Sequence, residues 1–92
     1  MTPKELEVAV DAMRRYLESR YGEAPIETWS AKSIWYTVVH VLRHWVAPNL
    51  KVGLNWHMRA AQDALNIPQF VAVLKESGVN EEELRKAAEF TF

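Results

Sequence analysis

The chain has no cysteine. Disulfide staples and thiolate zinc sites are therefore excluded. Glycine occurs three times and proline four times in 92 residues, which leaves no Gly/Pro-rich linker and no low-complexity arm. No apolar run is long enough to cross a bilayer, because the most apolar region is broken by His40, Arg43 and His44. Met1 leads straight into a charged helical pattern with no leader sequence in view, so a cytoplasmic location is expected. No internal repeat, phosphate loop, nucleophile elbow or carboxylate pair is present. The middle of the chain is almost without acid: residues 28–75 hold Asp63 alone against Lys32, Arg43, Lys51, Arg59 and Lys75, a net of +4. Residues 1–27 have a net of −2 and residues 76–92 a net of −3, so the whole chain stands at −1. All four tryptophans and all three histidines lie in the basic middle.

What is present reads as a single all-α domain, residues 1–92, built as a compact bundle of about five helices. Its centre is expected in helix 2, about residues 30–46. Set at 100° per residue, Val41, Ile34, Trp45, Val38, Ala31, Leu42, Trp35, Val46 and Val39 fill one half of that helix. The other half carries Lys32, Arg43, Tyr36, His40, Ser33, His44 and Thr37. So broad an apolar arc needs cover from several neighbours. Ser30 is the expected N-cap, and Pro48 is expected to stop the helix near Ala47.

Helix 1 is expected over about 3–21. Thr2 and Glu5 form a capping box, and Leu6, Val10, Met13, Leu17 and Tyr21 make the inward stripe. Gly22 is placed to end it. Residues 49–54 read as coil. Helix 3 follows Asn55 and runs to about Leu65, and Asn66 is suited to a left-handed turn. Helix 4 starts at Pro68 and continues to Ser77, with Phe70, Val73 and Leu74 inward. Gly78 and Val79 form a glycine C-cap, and Asn80 and Glu83 another capping pattern. Helix 5 runs to about Phe90 with Leu84, Ala87 and Ala88 inward.

Four constellations bear on chemistry. His40 and His44 stand one turn apart, as a metal pair would, with His57 after the next loop. Arg43 intervenes, the metalloprotease Glu is missing, and no carboxylate on that face orients an imidazole. No metal and no cofactor are therefore expected, and the pair reads as surface histidines. Residues 55–77 have the outline of a helix-turn-helix. Gln62 stands where a small residue belongs, and the reading helix offers only Gln69 and Lys75. Ser33, Tyr36 and His40 share a face of helix 2 without an orienting acid, so catalysis is not expected. Trp35 and Trp45 belong to the apolar arc, whereas Trp29 and Trp56 lie at helix starts beside loops. Tryptophan and arginine are common interaction hot spots.

The expected function is thus a small non-enzymatic binding module that docks on a larger protein partner, in the manner of an accessory, adaptor or inhibitor-like protein. The candidate contact residues are Lys32, Tyr36, His40, Arg43, His44, Lys51, Trp56 and Arg59. The alternative is a nucleic-acid-binding domain that uses residues 28–75, with a degenerate helix-turn-helix at 55–77. The strip on helix 2 attracts phosphates or acidic groups if the acidic ends of the chain do not cover it. The short chain and its four tryptophans also make self-association an expectation.

Overall fold

The computed structural model describes residues 1–19 and 28–89. Five helices make up the fold, with no strand among the described residues. They are α1 (Pro3–Ser19), α2 (Ala31–Val41), α3 (Trp56–Ala64), α4 (Pro68–Glu76) and α5 (Glu81–Glu89). α2 runs on without a break into a π turn, Leu42–Val46, and then a 3-10 turn, Ala47–Asn49.

The helix starts follow from their caps. At α1 the box is reciprocal: the Thr2 N–H donates to Glu5 Oε1 at 2.9 Å, and the Glu5 N–H donates to Thr2 Oγ1 at 3.2 Å. At α2 the Ser33 N–H donates to Ser30 Oγ at 3.1 Å, and at α5 the Glu83 N–H donates to Asn80 Oδ1 at 2.8 Å. Each bond satisfies one of the backbone donors that a helix start leaves without a partner. Asn55 precedes α3 as expected but makes no side-chain cap bond. α4 ends in a Schellman arrangement. Gly78 takes φ 104°, its N–H donates to the Lys75 carbonyl at 3.0 Å, and the Val79 N–H donates to the Leu74 carbonyl at 3.2 Å. Val79 and Leu74 are both buried, which closes the apolar contact of that motif.

α2 is central. Its most extensive contact with another helix is with α5, and it also meets α1 and α3, while α4 packs on α1. Ile34, Trp35, Val38, Val41, Leu42 and Val46 are all buried, with Val38, Val41, Leu42 and Val46 fully so. They share one core with Ala9, Met13, Phe70, Leu74, Val79, Leu84 and Ala87.

Several details depart from the sequence expectations. The α1 face turned inward is Ala9, Ala12, Met13 and Tyr16, so of the expected stripe Met13 is fully buried. Leu6, Val10 and Leu17 are half-buried on its flank. Tyr21, Gly22 and Phe90 lie outside the described residues. Thr37, expected on the polar half of α2, is buried and donates its hydroxyl to the Ser33 carbonyl at 2.9 Å. Trp45, expected in the core, is half-buried. Asn66 does not enter the left-handed region, which among the described residues only Gly78 occupies. Its N–H instead donates to the Asp63 carbonyl at 2.9 Å, a tight 3-10-type turn.

The second helix stops where Pro48 is expected to stop it: its last turn ends at Val46 with Ala47 as the C-cap, and only a 3-10 turn follows. Proline has no N–H for the carbonyl four residues back, and its ring crowds that carbonyl in a continuing α-helix. The chain widens by one turn ahead of it, and the Ala47 N–H donates to the Leu42 carbonyl five residues back. The proline then sits at the start of the 3-10 turn, where its missing donor is not needed. Asn49 Nδ2 donates to the Trp45 carbonyl at 3.0 Å and supplies a donor at the altered end.

Candidate functional site

Lys32, Tyr36, His40 and His44 follow one another at steps of four residues. On a helix such a row forms a continuous ridge. All four side chains are exposed, and so is Arg43 beside them. The ridge has internal order. Lys32 Nζ lies 5.6 Å from the centre of the Tyr36 ring, a cation–π distance. Tyr36 is nonetheless 58% exposed, one of two large apolar side chains left so open among the described residues. The His40 and His44 ring centres are 4.9 Å apart, with planes inclined at 43°.

α1 borders the lower end of this ridge. The Tyr16 ring centre is 5.5 Å from His40 and 5.3 Å from Trp45, edge-on to the indole at 81°. Between α1 and the π turn is a depression of about 410 Å³ that includes Asp11, Arg15, His44, Trp45 and Asn49 in its wall. Asp11 there is engaged by Arg15, with Nε to Oδ2 at 3.0 Å. Tyr16 was not among the residues singled out from sequence. Its signal was present all the same, since Ala9, Ala12, Met13 and Tyr16 are spaced as one helical face.

Charge on the ridge has no counter-ion at ion-pair distance among the described residues. Among the described residues no carboxylate lies within 4.0 Å of Lys32, Arg43, His40 or His44. The carboxylates that do pair find other partners: Glu76 meets Arg14 at 3.5 Å and Glu83 meets Lys86 at 3.5 Å. These pairs are exposed and add little to stability.

The remaining candidates do not join it. Trp56 and Arg59 line a separate depression of about 290 Å³ with Met1, Glu5 and Asp63. Trp56 is half-buried, and its Nε1 donates to Glu5 Oε2 at 3.1 Å. The indole thus locks the start of α3 to the start of α1. Glu5 accepts from both sides, and its carboxyl is held below the ordinary range. The Thr2 backbone N–H is the main cause, opposed by partial burial and assisted by the Trp56 indole, the Thr2 hydroxyl and the terminal ammonium. Lys51 is exposed in the segment between the 3-10 turn and α3 and lines neither depression.

The helix-turn-helix outline resolves into α3 and α4, which pack on different neighbours, α2 and α1 respectively. The start of α4 exposes Pro68, Gln69 and Ala72, of which only Gln69 offers base-reading groups. Among the described residues no three His, Cys, Asp or Glu side chains gather as metal ligands. None of the described helices is long and apolar enough to cross a membrane. Comparison with protein-family models, curated proteins and solved structures gave no match.

Proposed function

We propose that this small all-α domain is a non-enzymatic binding module that docks, through the α2 ridge, on an acidic segment of a larger protein partner. The observation that carries the reading is the row Lys32, Tyr36, His40 and His44 with Arg43 beside it. It is exposed, rich in donors and without a carboxylate within ion-pair distance among the described residues. A surface of this kind is complementary to carboxylates, and Arg43 can hold one with two parallel hydrogen bonds. Tyr36 adds a rigid amphipathic contact at its centre, a residue type favoured at binding hot spots.

An acidic protein fits better than a nucleic acid on two counts. The net charge of −1 gives no long-range pull towards a polyanion. The ridge also offers only Lys32 and Arg43 as permanent cations, whereas nucleic-acid binders commonly engage many phosphates. Lys51 and Arg59 lie on other elements and do not extend the row.

The test is an equilibrium titration of the protein with a labelled glutamate-rich peptide and with duplex DNA, each at low and high salt. The double variant Lys32→Glu, Arg43→Glu is measured alongside. The expected result is peptide binding that the double variant abolishes while keeping the parent melting temperature, because both side chains are exposed. Unchanged binding with a lowered melting temperature would mean that the ridge is neutralised within the chain, and the reading fails. Tight DNA binding that weakens steeply with salt would favour the nucleic-acid alternative.

A further inference from the structure

His40 and His44 hold chemistry that carboxylate docking does not use. Both are exposed, and their ring centres are 4.9 Å apart. Among the described residues neither imidazole exchanges a hydrogen bond or an ion pair; their neighbours are each other and the Tyr16 ring. Their nitrogens are therefore not committed to protein partners among those residues. His40 belongs to the last α turn and His44 to the π turn. Such π turns are frequent at functional sites.

Two imidazoles on one tetrahedral ion need donor nitrogens about 3.3 Å apart at metal–nitrogen distances near 2.0–2.1 Å. Rings already centred 4.9 Å apart reach that spacing by side-chain rotation. Two points count against a metal here: the charge of Arg43, and the lack of a metalloprotease Glu or any carboxylate on that face to orient an imidazole. Both points stand against a closed structural site, and neither forbids an open one. We infer that His40 and His44 together bind a single divalent transition-metal cation of the copper, nickel and zinc class. The other coordination positions are left to water or to a donor from outside the chain. Neutral imidazole suits this class, whereas magnesium and calcium require oxygen ligands that the pair lacks. A bound ion adds two positive charges to the ridge, in the sense that favours an acidic partner. Metal binding itself requires no partner, so it stands or falls separately from the docking reading.

The experiment is calorimetric titration of the full chain with Cu²⁺, Ni²⁺ and Zn²⁺, with Ca²⁺ and Mg²⁺ as controls. One ion per chain is expected, tightest for Cu²⁺ as the usual affinity order requires, and no heat from Ca²⁺ or Mg²⁺. His40→Ala and His44→Ala should each weaken binding about tenfold or more, since loss of even an outer supporting group commonly costs that much. His57→Ala, on α3, should leave affinity unchanged. Arg43→Ala should strengthen binding several-fold by removing a like charge. The histidines are exposed, so melting temperatures should match the parent and the variants remain interpretable. Affinity unaffected in both His40→Ala and His44→Ala, or two ions bound independently at the two rings, would overturn the inference.

Discussion

The contact between Glu5 and Trp56 joins residues 51 positions apart and offers a quantitative check on the structure. The perturbation is Glu5→Ala. It removes the acceptor of the Thr2 N–H and the acceptor of the Trp56 indole N–H together. Loss of a capping interaction costs about 1 kcal/mol. A hydrogen bond to a charged group contributes about 1.5–3 kcal/mol when sheltered. Glu5 is only partly shielded, so solvent screening reduces the second figure, and a total of about 1–2 kcal/mol is expected. For a domain of this size each 1 kcal/mol lowers the melting temperature by about 4–8 °C. Trp56→Phe keeps an aromatic side chain but deletes the donor, along with part of the packed indole surface. The two changes share one bond, so the double variant should be less destabilised than the separate losses imply, with a coupling of about 0.5–1 kcal/mol.

The same site sets a pH dependence. The folded Glu5 carboxyl is held below its ordinary value of 4.5, so its contribution is present above pH 4.5 and is lost as pH falls through the depressed folded value. Glu5→Gln cannot titrate and offers one carbonyl where two oxygens served. The difference in stability between parent and Glu5→Gln should therefore shrink as pH falls below 4.5. Urea denaturation followed by circular dichroism measures both effects. Additive single losses together with a pH-independent difference would refute the link between α1 and α3.

Val38 is fully buried in α2, so Val38→Asp leaves an unpaired charge in the core; it should remove most of a total stability of about 5–14 kcal/mol. Melting within a few degrees of the parent would contradict the central placement of α2. Gly78→Ala forces a Cβ into a backbone at φ 104°, and a loss of about 1–2 kcal/mol is expected from thermal denaturation. Ser30→Ala removes the α2 cap and should cost about 1 kcal/mol by the same measurement. Self-association has Tyr36 and Leu54, 58% and 96% exposed, as the large apolar side chains open to it among the described residues. A dimer in light scattering should therefore dissociate in a Tyr36→Ser, Leu54→Ser double variant, and a monomer mass at high micromolar concentration rejects association.

Helix starts and the α4 terminus were legible in the residues because caps are local. Thr2 with Glu5, Ser30, Asn80 with Glu83, and Gly78 with Val79 act within six residues, and short-range bonding suffices to place them. The central place of α2 was legible too, since an apolar half-cylinder from Ala31 to Val46 has no other use than burial among several neighbours. The ridge of Lys32, Tyr36, His40, Arg43 and His44 follows from the same periodicity. Which flank of α1 turns inward was not decided there. Met13 is buried as expected, but Leu6, Val10 and Leu17 are half-buried while the smaller Ala9 and Ala12 face the core. The π turn needed the tertiary frame as well. Pro48 marks the end of the helix near Ala47, but nothing local says that the last turn, Leu42–Val46, widens into a π turn with Leu42 and Val46 fully buried. The placement of Tyr16 against His40 and Trp45, and the bond from Trp56 to Glu5, join residues far apart in the chain. Single-helix periodicity has no information about such pairs; the docking of helices on one another decides them.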